Sequence, residues 1–535
     1  MTGAPADAET ALQSAPGAVQ VRVTVDDRLR VAATDCPPAL YEGLRHFVAE
    51  RCAFDNPLYW QAREHRRPCA HLPRRIELGL ADADHLSVPR GLGRELRRAI
   101  TELNAQAQVL VVEGRCAPPA PPMTLAVALR PYQQEAVQRA AIQRDGVIVA
   151  PTGSGKTLMA MGLIARLGVR SLILVHTRTL LDQTCAVVER SLGVQPGRLG
   201  GGHDDVRDIT VAMVQTVTRR DAAALRDAFG LILLDEAHHC PAATFTEVVQ
   251  RFRARWRIGL TATPERADAL HPLLYATLGP ELYRVRPGAM VDLGSLCAAA
   301  VQPVETSFRG GRQLDRVEMV TRLCADPTRN AEVVQVVAAT RGRHALVLSE
   351  RVEHCEALTR LLLERQVPAQ LLVGKMAPAQ RQAALARFLD APESVLVATS
   401  SLVGEGFDCP DLDTLYLAVP TGNTTRTTQA LGRVLRPQPG KGAPRVYDFV
   451  DAHTPALARS FRARLAVYRK HSASIEVARP VSDVVAGASA AGLQADGYPT
   501  SRPAPESSAS TAAAPGPSRP SASTPSRYPP SAGSS

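Results

Sequence analysis

Apolar positions along this chain follow three rhythms, and each predicts a different kind of element. Over residues 19–25 they alternate with polar ones, Asp26-Asp27 reads as a turn, and a second short run follows over 29–33, which is the pattern of a β-hairpin. Segments 38–52 and 91–105 have helical spacing, and Val109-Leu110-Val111-Val112 reads as a strand, so residues 19–117 are expected to form a small α+β domain. From Val127 onward short β-branched runs alternate with helical segments, which argues for parallel α/β sheets. One series of strands is expected at 146–150, 171–176, 208–214, 231–234 and 257–261. A second is expected at 344–348, 370–373, 395–398, 414–419 and 445–449. The fold class is α/β, with two parallel-sheet domains at 127–304 and 305–479 behind the small one.

The segments between and beyond these units lack such rhythm. Residues 1–18 are rich in Ala, Pro, Gly and acids and read as a disordered leader. Ala117-Pro118-Pro119-Ala120-Pro121-Pro122 opens a stiff linker, 118–126. From 480 to 535 the chain is Ala-, Ser- and Pro-rich and cannot bury enough apolar surface to offset its ordering entropy, so a disordered tail is expected. Hydrophobic residues make up 45% of the 535, enough for full cores in the remainder. The formal charge of +10 favours an anionic polymer as partner. Ten scattered cysteines without a Cys-x-x-Cys pair indicate neither a zinc site nor a disulfide framework. No run approaches 18 apolar residues and no signal-peptide core is evident, so the expectation is a soluble, cytoplasmic protein with no membrane partner.

Candidate chemistry begins where the first strand of the first series breaks. Val147-Ile148-Val149-Ala150-Pro151-Thr152-Gly153-Ser154-Gly155-Lys156-Thr157 is a strand, a glycine-rich turn and a helix start, as a phosphate-binding loop requires. Gly153 and Gly155 leave room for backbone N–H groups around phosphates, Lys156 would reach the terminal phosphates, and the Thr157 hydroxyl would hold Mg²⁺. The chain has only four lysines, at 156, 375, 441 and 470, in a background of arginine, so a lysine at this position suggests that a compact ammonium is needed there. Leu231-Ile232-Leu233-Leu234 is a buried strand that delivers Asp235 and Glu236 to its carboxyl end, where ligands of open α/β sheets bind. Asp235 suits a metal and Glu236 suits positioning of a water, and His238 could report nucleotide state to the neighbouring domain. Gln429, Arg433 and Arg436 fall about a helical turn apart on one face, interrupted by Gly432. Guanidinium groups there suit charge on a transferring phosphoryl group. Near the N-terminus, Tyr59 and Trp60 lead into Arg63, His65, Arg66, Arg67, His71, Arg74 and Arg75. Two readings of that stretch stay open: phosphate contact with base stacking on an aromatic, or a solvated basic face above two core aromatics.

From Leu129 to Asp451 the chain resembles superfamily 2 helicases and translocases of the DEAH type, the group that holds XPB-like helicases, UvsW-like phage proteins and restriction-enzyme motor subunits. Leu129-Arg130-Pro131-Tyr132-Gln133 is similar to the group's adenine-reading motif, which implies nucleotide contact by Arg130 and base contact by Gln133. Motif I is matched by 150–157, with Thr152, Gly153, Ser154, Gly155, Lys156 and Thr157 as its nucleotide-binding residues. Motifs Ia and Ib resemble 175–178 and 214–216, motif II 235–238, and motif III 259–264. Motif IV resembles 348–351, motif V 398–408, and motif VI 429–436. The resemblance implies two RecA-like domains with ATP and Mg²⁺ between them and a nucleic-acid strand across their top. Thr177, Arg178, Gln215, Thr216, Ser349 and Thr399 would touch that strand. His238, Thr261 and Thr263 would couple the sites, and Gly404 and Asp408 would couple to the nucleotide. Arg436 would be the arginine finger with Arg433 beside it. Arg266-Ala267-Asp268 stands where XPB-like proteins have Arg-Glu-Asp. The function implied is an ATP-dependent DNA helicase or translocase acting on single-stranded or duplex DNA. The alternatives are an RNA helicase, or the motor subunit of a restriction or phage-defence assembly that serves a separate nuclease or repair protein.

Overall fold

Alternation over the first strand has a direct structural result: Gln20–Val25 buries Val21, Val23 and Val25 on one face. That face packs on Leu40, Leu44 and Val48 of helix Pro38–Arg51 and on Leu96 and Ile100 of helix Gly93–Leu103. In this computed structural model the described residues are 19–492, apart from 221, 236–241, 263–268, 295, 312–313, 401, 403–408, 410, 439–440 and 472. The hairpin closes with Val25 opposite Leu29, and Gln108–Glu113 adds on the other side in parallel. The sheet order is Leu80–Ala81, His85–Val88, Leu29–Ala32, Gln20–Val25, Gln108–Glu113.

The first large sheet has eight strands. In spatial order they are His203–Asp204, Gly197–Gly200, Ile209–Met213, Ser171–Val175, Leu231–Asp235, Trp256–Thr261, Asp145–Val149 and Glu281–Arg284. The inner strands are apolar on both faces because helices cover both sides, as parallel sheets demand. The second large sheet runs Ala369–Leu372, Ser394–Thr399, His344–Ser349, Thr414–Leu417, Arg445–Val450, Ala300–Glu305, Ser474–Ile475, with Arg479–Pro480 also pairing Ala300–Glu305.

Two expected boundaries are corrected. Ala300–Glu305 lies parallel to Arg445–Val450, so the second sheet begins before residue 305. The chain also stays ordered past 480: Val481–Gly492 is a helix whose Val481 and Val484 are buried against the second sheet's core. Three strands of the first sheet, Gly197–Gly200, His203–Asp204 and Glu281–Arg284, were not anticipated.

The small domain is docked on the first large sheet. Arg90 is buried and donates to both oxygens of Asp145, at 2.6 and 2.8 Å, and to the carbonyl oxygens of Ala254 and Arg255 at 2.6 and 3.0 Å. Asp145 is the first residue of the phosphate-loop strand. Phe54, Leu58, Ile76 and Leu78 pack on Leu270 and Leu273 nearby. The proline-rich linker lies along the same domain, with Ala120 N donating to Gly168 O at 2.9 Å and Arg170 N to Pro118 O at 2.9 Å.

Two buried arginine networks organise the second domain. Arg329 pairs with Asp451 at 2.6 Å with both side chains fully buried, and the Thr306 hydroxyl donates to the same carboxylate at 2.7 Å. Arg464 pairs with Asp448 at 2.7 Å, Tyr468 OH donates to Asp448 at 2.6 Å, and Arg464 reaches Thr421 O at 2.8 Å. Each guanidinium meets its carboxylate with two nitrogens, the geometry that makes burial of a charge tolerable.

Arg90→Met should remove the nearer counter-ion of Asp145 and leave only Arg115, 3.8 Å away. A broken buried pair costs about 3–5 kcal/mol, and with Asp145 at 17% side-chain exposure the lower end is expected. The measurement is a urea titration followed by fluorescence of Trp256, whose indole N–H donates to Ala141 O at 2.9 Å in the same domain. An unchanged midpoint would show that the pair does not hold this interface.

Candidate nucleotide cleft and nucleic-acid face

Strand Asp145–Val149 runs parallel to Trp256–Thr261 and points its carboxyl end into the loop that follows. There Gly153 and Gly155 have φ of +84° and +77°, a region where a residue with a Cβ is strained. Gly155 caps helix Lys156–Leu167, whose first-turn N–H groups face the loop. Tyr132 OH and Gln133 Nε2 both donate to Ser154 O, at 3.0 and 2.9 Å, and Gln133 Oε1 accepts from Arg130 N at 2.9 Å. The Gln133 amide, expected to contact a base, is thus engaged at both ends and braces the loop. Lys156 is buried, with Nζ 3.5 Å from Ala150 O. Left-handed glycines, a helix N-terminus and a buried ammonium within one loop fit a polyphosphate.

The neighbouring strands bring the acid alongside. Asp235 ends Leu231–Asp235 and stands opposite Leu260 in register, while Thr261 is opposite Val149 and its carbonyl accepts from Ala150 N at 2.9 Å. Asp235 and Thr261 are both buried, so acid, threonine and phosphate loop share one sheet edge. Thr157, the second residue of the loop's helix, is half-buried. Glu236, His238, Thr263, Gly404 and Asp408 lie outside the described residues.

The second domain reaches the loop through helix Thr424–Val434, capped by Asn423, whose side chain accepts from Arg426 N at 3.2 Å. A Cβ built at Gly432 would lie 2.3 Å from the Thr152 Cβ, and one at Gly153 would lie 3.6 Å from Arg436 Cγ. Glycine at 432 is therefore what lets the helix lie on the loop. Gln429 and Arg433 are half-buried on the same helix. Three successive carbonyls at its end are held: Lys441 Nζ donates to Val434 O at 2.6 Å and to Arg436 O at 2.8 Å, and Cys297 N donates to Leu435 O at 2.7 Å. Burial pulls the Lys441 ammonium below its ordinary pKa. Sequence reasoning passed over Lys441 and Cys297, although the scarcity of lysine was a usable signal for the first.

The expected nucleic-acid contacts separate into two groups. Thr177, Arg178, Gln215 and Thr216 gather at the carboxyl ends of the adjacent strands Ser171–Val175 and Ile209–Met213. Thr177 caps helix Arg178–Leu192, accepting from Leu180 N at 3.3 Å, and Gln215 Nε2 donates to His176 O at 3.2 Å. Ser349 and Thr399 are register partners at the ends of two strands of the second sheet, and both are buried. Ser349 is a correction, because its hydroxyl does not face solvent. It accepts from Arg351 N at 3.1 Å and sits 2.9 Å from His354 Nδ1. Burial, with Arg329 close by, pushes His354 down to about 3, so the ring is neutral. Asn330 Nδ2 donates to Cys324 O, leaving Asn330 Oδ1 to accept from His354 Nε2 at 2.9 Å. The His354 Nδ1 then accepts from the serine.

In the small domain, Trp60 is 36% exposed, with Arg63 and Arg74 over its ring at 5.8 and 5.2 Å. Arg63, Arg66, Arg67, Arg74 and Arg75 are all exposed. An exposed indole between arginines replaces the core aromatic that one of the two readings required of Trp60.

The type III restriction enzyme res subunit family matches residues 126–266, and the helicase conserved C-terminal domain family matches residues 328–438. The chain is 27% identical over 400 residues to the DNA 3'-5' translocase XPB2 of Sulfurisphaera tokodaii, covering 67% of this chain and 90% of that protein. It is 32% identical over 331 residues to a putative DNA 3'-5' helicase Rad25 of Halobacterium salinarum, covering 58% of this chain and 52% of the relative. Its fold is similar to that of a putative HsdR subunit of a type I restriction enzyme from Vibrio vulnificus, at TM-score 0.53 and 22% identity, over 67% of this chain and 69% of the other. Two RecA-like sheets, one bearing a phosphate loop and the other laying an arginine helix against it, define a nucleotide-driven tandem-domain motor. The two matched families and these relatives are consistent with an XPB/ResIII-like helicase of superfamily 2, and the helicase domains imply a nucleic-acid-dependent ATPase. No helix among the described residues is long and apolar enough to cross a membrane.

Gly432→Ala should force the helix off the loop. Overpacking a tight contact costs about 1–3 kcal/mol, so turnover should fall about ten- to a hundredfold while ATP still binds the first domain. Steady-state ATPase kinetics would show this, and an unchanged rate would mean that the contact is not part of the active arrangement.

Proposed function

We propose that the protein is an ATP-dependent DNA helicase or translocase, in which closure of the two large domains on ATP drives movement along DNA. The observation that carries this reading is the approach of Gly432 and Arg436 to Thr152 and Gly153 across the domain boundary. Residues 152–157 and Arg130 bind the nucleotide, and Gln133 holds the loop at the adenine side. Thr157 and Asp235 hold Mg²⁺, whose charge offsets that of the phosphates. Glu236 orients the attacking water. Arg433 and Arg436 stabilise the charge that develops on the transferred group, with Gln429 beside them. Thr157 and Asp235 would offer the metal one oxygen from the loop and one from the strand two places along the sheet, in keeping with its preference for hard oxygen donors.

DNA lies across the carboxyl ends of both sheets. Thr177, Arg178, Gln215 and Thr216 receive it on the first domain and Thr399 on the second, while Ser349 shapes its loop from within. His238, Thr261, Thr263, Gly404 and Asp408 link strand contact to nucleotide state. DNA is preferred over RNA on the strength of the relatives named above, and the exposed Trp60 with its arginines provides a further grip on the same polymer. The match to restriction-enzyme subunits supports a second reading, a motor that serves a separate nuclease.

ATPase assays with single-stranded DNA, duplex DNA and RNA test the substrate, and stimulation by RNA alone would overturn it. Glu236→Gln should keep ATP binding and lose turnover, Lys156→Ala should lose both, and Arg436→Ala should keep ATP while losing about 10³ or more in rate. A Glu236→Gln protein with full turnover would remove that residue from its role. Changing Arg63, Arg66, Arg67, Arg74 and Arg75 to Gln should flatten the slope of log affinity against log salt by roughly 0.7 to 0.9 per lost phosphate contact. An unchanged slope would leave DNA binding to the large domains alone.

A further inference from the structure

The arginine helix ends in a way that its own sequence does not explain. Its last regular residue is Val434, yet Arg436, two residues beyond, is the one whose Cγ approaches Gly153. A helix end leaves several carbonyls without internal partners, and the turn that follows is free to take more than one path. Here it has little freedom. Cys297, in the segment that joins the two large domains, donates its backbone N–H to Leu435 O at 2.7 Å. The carbonyls on either side, Val434 O and Arg436 O, are bridged by one ammonium, that of Lys441, at 2.6 and 2.8 Å.

We propose that Lys441 is a positioning residue for the arginine finger: it fixes the backbone of residues 434–436 so that Arg436 is delivered to the phosphate loop in one geometry. The proposal rests on the reading of Arg433 and Arg436 as the groups that stabilise developing charge. Chemistry favours lysine for the task. Two carbonyls two residues apart need a small donor with several protons on one atom, and a cation also suits the negative end of a helix. A guanidinium is planar and spreads its donors over a fork. The chain uses arginine almost everywhere a permanent cation is required and has only four lysines, so lysine at this position agrees with that demand. Lys441 Nζ donates to the backbone oxygens on both sides of Leu435, so the effect proposed for it runs through the backbone that carries Arg436.

A kinetic cycle separates positioning from general stabilisation. Wild type, Lys441→Met, Arg436→Ala and the double variant are compared for kcat, KM and affinity for a fluorescent ATP analogue, with thermal unfolding as a control. Lys441→Met should lower kcat about ten- to a hundredfold while changing nucleotide affinity less than threefold. In the Arg436→Ala background the same change should have no further effect on kcat, because there is no finger left to place. Lys441→Arg, which keeps the charge but not the compact donor, should recover thermal stability and only part of kcat, and it carries the test if the methionine variant folds poorly. Lys441→Met with full kcat would overturn the proposal, as would an equal fall in kcat in both backgrounds, which would assign Lys441 to ordinary stabilisation of the domain. If Arg436→Ala alone retained full rate, the finger reading would fail instead, and the cycle shows that independently of Lys441.

Discussion

The distance between Thr152 and Gly432 governs much of the rest. A nucleotide site divided between two sheets works only if the second half can come within reach of the first, and here reach means contact between a loop and the backbone of a helix. Any Cβ at 432 would intrude on Thr152, so the approach depends on a residue chosen for having no side chain. The helix that bears it has its own foundations. Arg464, held by Asp448, grips Thr421 just ahead of the helix, and the clamp of Lys441 and Cys297 fixes the residues behind it. Cations are thereby presented to the phosphate loop from a scaffold held at both ends, which limits the reorganisation that charge development would otherwise demand.

Buried guanidinium groups are a recurring device in this chain. Arg90, Arg329 and Arg464 each sit opposite a carboxylate that they meet with two nitrogens, and the first two tie together elements far apart in sequence. Such pairs gain little stability over an apolar alternative, because desolvation offsets much of the attraction. What they supply is direction: a fork of donors accepts one orientation of its partner, whereas apolar packing accepts several. At two positions lysine stands where a fork is the wrong shape. Two of the four, Lys156 and Lys441, are at the cleft, and both place an ammonium against carbonyl oxygens.

Much of the fold was legible because inner strands of a parallel sheet must be apolar on both faces, and such runs stand out between helical segments. What escaped notice was irregular for physical reasons. Gly197–Gly200 begins and ends in glycine and reads as a turn. Ala300–Glu305 carries Pro303, which argues against a strand until its neighbours are known. Val481–Gly492 is Ala-, Ser- and Gly-rich, and two valines suffice to seat it on the second domain. At the site, the loop, the acid and the arginines could be read because each lies within a few residues of a strand or helix end. The inward turn of Ser349 could not, since it depends on His354 and on Asn330 from a different helix. Nor could the role of Gln133 as a brace, which requires knowing that Ser154 O lies within its reach.

The junction of Arg90 with Asp145 has a mechanical consequence. Asp145 is the root of the strand whose other end carries the phosphate loop, so the small domain is fastened to the same beam that receives the nucleotide. The proline-rich connection is not a tether, because its backbone is bonded along the first large domain. The arginine-and-tryptophan face and the near half of the cleft therefore belong to one body, and on the function proposed above that body is the stator against which the second large domain would move. A DNA segment held on that face, as proposed, would stay fixed in the stator's frame while the second sheet advanced, so each closure would register as displacement between two points on the polymer rather than as a tumbling of three loosely joined pieces.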